Sequence, residues 1–213
     1  MQQNLDLFGA PIGTTPQKPD WVGGKHSIFV SLGASNHTAE ERAANDYYAT
    51  PPEAVEMLMR LETFRDSILE PCVGGGHIAR VLEQHGKKVL ARDIVDRGFP
   101  NTTVADFVAC EDKGLDVDVI TNPPYNFALD FCKKSLDVIA DGCKVALFLK
   151  LSFAEGKARR KFFDENPPVR VWVSSSRLTC GKNGVKWDPS AVCYAWWIWV
   201  KGCKGPTEMK WFN

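Results

Sequence analysis

The stretch Val145–Leu151, VALFLKL, is apolar almost without interruption. A strand with one wet face alternates apolar and polar side chains, so a run like this marks a strand covered on both faces. Helices must then lie on each side of a sheet, and the rest of the chain supplies both kinds of element. Short apolar runs at Ser67–Cys72, Lys88–Ile94, Asp116–Asn122, Val169–Val173 and Cys193–Val200 read as further strands. Amphipathic stretches fall between them: Gly76–His85, the stripe Ala128, Phe131, Cys132, Leu136 and Ile139, and residues 155–166. Strand alternating with helix predicts an α/β fold with a doubly wound, mainly parallel sheet. The last two strands have no helix between them, which predicts an antiparallel C-terminal hairpin strand at one edge. Ahead of the first strand, Thr50-Pro51-Pro52-Glu53 reads as a helix start, with Thr50 capping, Pro51 at the first position and Glu53 completing a capping box. Ala54, Met57, Leu58 and Leu61 then share one helical face.

At 213 residues, 44% hydrophobic and 24% charged, the chain has the profile of one ordinary globular domain. Disordered, collagen-like and coiled-coil classes are excluded. Residues 1–45, rich in Gln, Asn, Gly, Pro, Ser and Thr, read as a leader that is flexible or laid over the surface, and 46–213 as a single domain. No run approaches the ~20 apolar residues of a membrane span. The start MQQNLDLFGAPIG lacks a basic head and an apolar signal core, so a cytoplasmic protein is expected. Cys72, Cys110, Cys132, Cys143, Cys180, Cys193 and Cys203 show no CxxC or Cys/His spacing, which predicts reduced thiols, no disulfide and no metal. The net charge of +0 hides a polarity, because residues 1–143 hold 13 basic against 21 acidic side chains and residues 144–213 hold 13 against 5. A basic C-terminal third points to an anionic partner, with nucleic acid the first candidate.

Two constellations carry chemistry. The first is Glu70-Pro71-Cys72-Val73-Gly74-Gly75-Gly76-His77, a strand end, a glycine turn and a helix start. Ligands of a doubly wound sheet sit at the carboxyl ends of its strands. Glycines let the backbone approach a nucleoside closely, and an acid there can take an ammonium or a hydroxyl. Asp93, ending the next strand, stands where ribose hydroxyls are usually held. The spacing is not GxGxxG, and an acid before the glycines repels a pyrophosphate. S-adenosylmethionine, cationic at amine and sulfonium, therefore suits Glu70 better than a dinucleotide does. A tight turn with no ligand is the plainer reading of the same residues.

The second constellation is the strand end Val119-Ile120-Thr121 running into Asn122-Pro123-Pro124-Tyr125. Two prolines fix a rigid turn and lift an amide side chain and a backbone carbonyl into the cleft. Those two acceptors can grip both hydrogens of a planar amino group, while the Tyr125 ring can stack on its plane.

Together, Glu70-Pro-x-x-Gly74-x-Gly76 and Asn122-Pro123-Pro124-Tyr125 resemble the class I S-adenosylmethionine-dependent amino-methyltransferases, specifically the adenine-N6 DNA enzymes, over most of the chain after residue 46. The resemblance implies a Rossmann-like fold, catalytic roles for Asn122, Pro123, Pro124 and Tyr125, and a cofactor held by Glu70, Pro71, Gly74, Gly76, Asp93 and Ile94. Tyr48-x-Thr50 is similar to the family's N-terminal cofactor motif, which implies that Thr50 lies near the methionine carboxylate. Asp106-Phe107 resembles the acid–aromatic pair that holds the cofactor adenine. The stretches 93–98, 162–168 and 194–202 resemble small phage- and prophage-encoded members, which would work in the host cytoplasm. The implied reaction is methyl transfer to N6 of an adenine in DNA. A base in a duplex has to be flipped out, with Tyr125 replacing its lost stacking.

The chain departs from the fuller family pattern in two ways. No aromatic stands at Ser176-Arg177-Leu178-Thr179-Cys180, where many members pin the flipped base from the other side; Phe127, Phe153 and Trp187 are the candidates to replace it. There is also no room for a recognition domain, so loops around 152–161 and 176–191 are expected to read the target. Their Lys157, Arg159, Arg160, Lys161, Arg177, Lys182 and Lys186 suit phosphates, although those within 157–161 also suit a solvated helix face. Trp196-Trp197-Ile198-Trp199 read as sheet packing with one tryptophan face partly exposed, and His77 and His85 take no role. A monomer or weak dimer is expected. The alternatives are methylation of an RNA adenine or a protein glutamine amide, and a non-catalytic nucleic-acid-binding module.

Overall fold

The computed structural model describes residues 48–176, 178, 181–182 and 192–212. Eight strands form one sheet in the order β10 (Glu208–Phe212), β7 (Arg170–Ser174), β9 (Tyr194–Val200), β6 (Lys144–Lys150), β5 (Asp118–Thr121), β2 (Ser67–Glu70), β3 (Lys88–Asp93), β4 (Thr103–Val104). All neighbours run parallel except β9, which is antiparallel to both β6 and β7. A separate two-residue ladder joins β1 (Tyr48–Ala49) to β8 (Gly181–Lys182). Among the described residues four α-helices cover the sheet: α1 (Pro52–Leu61), α2 (His77–Gln84), α3 (Ala128–Val138) and α4 (Lys157–Glu165). This is the doubly wound, Rossmann-like architecture the alternating pattern called for.

β6 shows why its sequence has no polar face. Val145, Leu147 and Leu149 pack with Phe131, Cys132 and Val138 of α3 and Phe162 of α4. Ala146 and Phe148, pointing the other way, pack with Ala54, Val55 and Leu58 of α1 and Ile78 and Leu82 of α2. Each such large side chain taken out of water contributes roughly 1.5–3 kcal/mol. The partly exposed tryptophan face does not exist: Trp196, Trp197 and Trp199 are all buried, split between the two cores by strand alternation. Two of the indoles also donate to backbone carbonyls, Trp196 to Ala54 at 2.8 Å and Trp199 to Asn166 at 3.0 Å.

Two further expectations change. The antiparallel strand is interior, between β6 and β7, and the edge belongs to β10, which pairs parallel with β7. Of β10 only Phe212 is buried, so the segment lacks the pattern that reveals a strand. At α1, Pro51 is the N-cap, Pro52 takes the first turn, and no side chain caps the helix. The Thr50 hydroxyl is engaged elsewhere.

At the amino end of the sheet Glu62, just past α1, is buried among cations. It receives hydrogen bonds from Arg170 Nε at 2.5 Å, Lys144 Nζ at 2.8 Å and Trp172 Nε1 at 3.0 Å. Burial works to raise its pKa, but the bonds from Arg170, Lys144 and Trp172 outweigh that and hold the carboxyl at about 2. Among the described residues no helix is long and apolar enough to cross a membrane.

Candidate active site

From β2 the chain builds outward through β3 and β4, then returns to place β5 and β6 on the other side of β2. The sheet therefore reverses its direction of growth between β2 and β5, and a crevice opens over their carboxyl ends. A cavity of about 370 Å³ fills that crevice, walled by the segments that follow β2, β3, β4 and β5 and by β1. Its size is that of a small-molecule site.

Of the residues singled out for a cofactor, Tyr48, Thr50, Glu70, Pro71, Asp93, Ile94, Asp106 and Phe107 line this cavity. Gly74 and Gly76 do not line it; they shape the turn. Gly76 sits at φ 80°, and a Cβ there would come 2.1 Å from the Phe99 ring, so only glycine fits. The Gly74 amide donates to Asp93 Oδ2 at 2.8 Å and the Val95 amide to Asp93 Oδ1 at 3.1 Å, which ties the β2 turn to the β3 end. Asp106 Oδ1 likewise accepts from the Val108 amide at 2.9 Å, while Phe107 packs against Phe131.

Glu70 is buried at the cavity wall, and its Oε2 accepts no hydrogen bond from any described residue. Burial, with Asp93 adding like charge, pushes its carboxyl well above the ordinary range. Burial and the same two carboxylates also push the Cys72 thiol up.

Asn122, Pro123 and Pro124 line the cavity beside this acid. Asn122 Nδ2 donates to the Tyr48 carbonyl at 2.9 Å and to Thr50 Oγ1 at 3.0 Å. The carbonyl can only accept, so the group facing it is the NH₂. That leaves the buried Oδ1 with no donor among the described residues. Buried acceptors in folded proteins are rarely left so, and those that are deserve a reason.

Tyr125 stands behind this edge and is not part of the cavity wall. Its ring packs 5.4 Å from Tyr48 and 6.2 Å from Tyr194, with Lys150 Nζ 4.8 Å from its centroid. Phe127, by contrast, lines the wall and is 55% exposed. Of its two rivals as a second stacking surface, Phe153 is buried edge-on against Trp197, and Trp187 lies outside the described residues.

The basic residues divide. Lys157 is exposed at the start of α4, and the Arg159 guanidinium lies 5.2 Å over the Phe153 ring. Arg160 pairs with Asp164 at 3.0 Å and Lys161 with Glu165 at 3.9 Å along the same helix, as a solvated face does. Lys182 pairs through its backbone with Tyr48, whereas Arg177 and Lys186, like the leader 1–45, lie outside the described residues. Sequence reasoning passed over His77 and Arg97, both on the cavity wall. His77 has its pKa lowered by burial and by Arg80. The signal for it was its place as the first residue after the glycine turn. His85, by contrast, pairs with Glu56 at 2.8 Å on the surface.

No family model matches the chain, and neither does any curated protein sequence. Solved structures do match in fold. A protein from Listeria monocytogenes assigned as a class I S-adenosylmethionine-dependent methyltransferase superposes with a TM-score of 0.50 at 14% identity, covering 75% of this chain and 62% of that one. A protein from Pyrococcus horikoshii assigned as an RNA methyltransferase gives 0.51 at 14%, covering 70% and 81%. The modification subunit of an assigned type I restriction enzyme from Vibrio vulnificus gives 0.53 at 14%, covering 79% of this chain and 47% of that one. The chain thus has the class I methyltransferase fold.

Proposed function

We propose that the protein transfers a methyl group from S-adenosylmethionine to the exocyclic N6 of adenine in DNA. The observation that carries this reading is Asn122 Oδ1, a buried acceptor with no donor among the described residues, on a residue that lines a cavity of small-molecule size on the class I fold. The methyltransferase neighbours support methyl transfer, and the modification subunit among them is what favours DNA over the RNA that another neighbour suggests.

The residues present fit the cofactor. Glu70 Oε2, buried and unsatisfied, suits an ammonium, and Asp93 and Asp106 offer acceptors for ribose hydroxyls and the exocyclic adenine amine further along the wall. S-adenosylmethionine, when bound there, supplies an electrophilic methyl group with a thioether leaving group.

The rest is done by the Asn122 turn. An exocyclic adenine nitrogen is a poor nucleophile because its lone pair is delocalised into the ring. Hydrogen bonds from N6–H to Asn122 Oδ1 and the Pro123 carbonyl draw that nitrogen towards sp³ geometry and aim its lone pair along the transfer axis. The surplus amino proton would pass to solvent after transfer, so no strong base is needed. Phe127, exposed on the wall, offers a stacking surface for the flipped base, the role the sequence reading gave to Tyr125. Lys157 then serves the phosphates, with Arg159, Arg160 and Lys161 less suited because each is already engaged by a group of its own helix region.

The test is incubation with isotopically labelled cofactor and mixed DNA, RNA and protein, followed by mass spectrometry of nucleosides and peptides. Label in N6-methyladenine of DNA is expected. Label in RNA adenine or in glutamine moves the substrate, and no label anywhere despite cofactor binding overturns the enzymatic reading.

A further inference from the structure

We infer that Thr50 is a positioning residue acting through Asn122, and that with the Tyr48 carbonyl it forms a lock that makes Asn122 an obligate acceptor. The inference deepens the amine-methylation reading and assigns Thr50 a task distinct from holding the cofactor.

An asparagine amide is ambivalent, since a half-turn about its last bond exchanges a carbonyl for an NH₂. Here that turn is blocked. Both hydrogens of Nδ2 are committed, one to the Tyr48 carbonyl at 2.9 Å and one to Thr50 Oγ1 at 3.0 Å. Flipping the amide would set Oδ1 against the Tyr48 carbonyl, two acceptors at hydrogen-bond distance. Thr50 is 2% exposed, so water has little access to replace its hydroxyl. Tyr48 is itself held from the other side by the β1–β8 ladder, where it pairs with Lys182. Of the amide's two polar atoms, Oδ1 is the one left without a partner among the described residues, on a side chain that lines the cavity.

The lock has a consequence for substrate choice. An obligate acceptor welcomes a planar amino group, as on adenine or cytosine. It repels a carbonyl at the same position, as on guanine or thymine, because a buried pair of acceptors has no proton to share. Free to turn, the amide would serve either kind of base.

The lock is read in the free protein by ¹⁵N NMR of the Asn122 side-chain amide, its peaks assigned by their loss in Asn122→Ala. Slow exchange of both protons is expected in the wild type, with exchange at least tenfold faster in Thr50→Val and slowed again in Thr50→Ser. Equal exchange in all three overturns the inference. Activity gives the second reading: kcat falls about tenfold in Thr50→Val, the worth of one buried hydrogen bond, and is regained in Thr50→Ser, with cofactor affinity by calorimetry unmoved. A loss carried entirely by cofactor affinity assigns Thr50 to the cofactor and overturns the lock. Calorimetry also shows that Thr50→Val is folded. If no nucleic acid is methylated by the wild type, the substrate reading falls while the exchange rates still decide the lock.

Discussion

The two ends of the sheet treat buried polar groups in opposite ways. At the amino end, Glu62 is surrounded by Arg170, Lys144 and Trp172, and each of its oxygens has a donor. At the carboxyl end, Glu70 Oε2 and Asn122 Oδ1 are buried with none among the described residues. Desolvating a polar group costs free energy that a partner must return. Where the partner is protein, the group is structural; for these two residues on the cavity wall, the proposed ligands would supply the missing partner. The same chain thus contains a finished network and an unfinished one, about one strand length apart.

The sharpest way to break this contrast is Asn122→Ala. On the unfinished side, the rate of methyl transfer should fall on the order of 10²-fold or more, since an interaction made in the transition state is removed. Cofactor affinity and thermal stability should change little, as measured by calorimetry and thermal melts. Unchanged turnover in this variant would end the proposed mechanism. On the finished side, Glu62→Ala should cost about 3 kcal/mol, because it strands Arg170 and Lys144 near the sheet, and lower Tm by roughly 10 °C. Activity per folded molecule should stay the same.

The two acids should also differ in the sign of their pH dependence. Glu62 has a folded pKa of about 2, below its ordinary 4.5, so its contribution is present above about 4.5 and is lost as pH falls towards 2. The gap in Tm between wild type and Glu62→Gln should therefore narrow on acidification. Glu70 is shifted upward by burial, so its contribution is present below about 4.5 and is lost as pH rises through its folded value. In the cofactor-free protein Glu70→Gln should flatten that decline, while weakening cofactor binding about tenfold, the worth of one charge-assisted bond. The smallest effect belongs to neither end. Arg160→Ala removes an exposed pair with Asp164 and should change stability by less than about 0.5 kcal/mol, with little change in the salt dependence of nucleic-acid binding.

Much of this was legible in the linear chain. The apolar run of β6 declared a doubly covered strand because a backbone that alternates its side chains cannot hide five consecutive apolar residues on one face. Glu70, Asp93, Asp106 and Asn122 could be picked out because strand ends in a parallel sheet share one side, so residues far apart in sequence meet there. β10 escaped because four of its five residues are exposed and carry no period. Gly76 is required for a reason other than the close approach of a nucleoside that its sequence context suggests: its φ is positive, and the neighbour that forbids a Cβ is Phe99, more than twenty residues away. Tyr125 and Phe127 show the same limit. Two aromatics on one turn are equivalent in the alphabet, and only packing put one behind Tyr48 and Tyr194 and the other on the cavity wall.

What the sequence determined by itself was therefore periodic or local: the alternation of elements, the covered central strand, the glycine turn and the rigid Asn122–Tyr125 corner. These follow from backbone geometry and near-neighbour sterics, which a linear string contains. What only the tertiary structure decided was partnership across distance. It showed which buried oxygens find donors, that Thr50 serves Asn122 and not the helix beside it, and that the antiparallel strand lies inside the sheet. Those outcomes depend on which surfaces meet when the chain closes, and burial then fixes the energetic weight of each hydrogen bond made or left unmade.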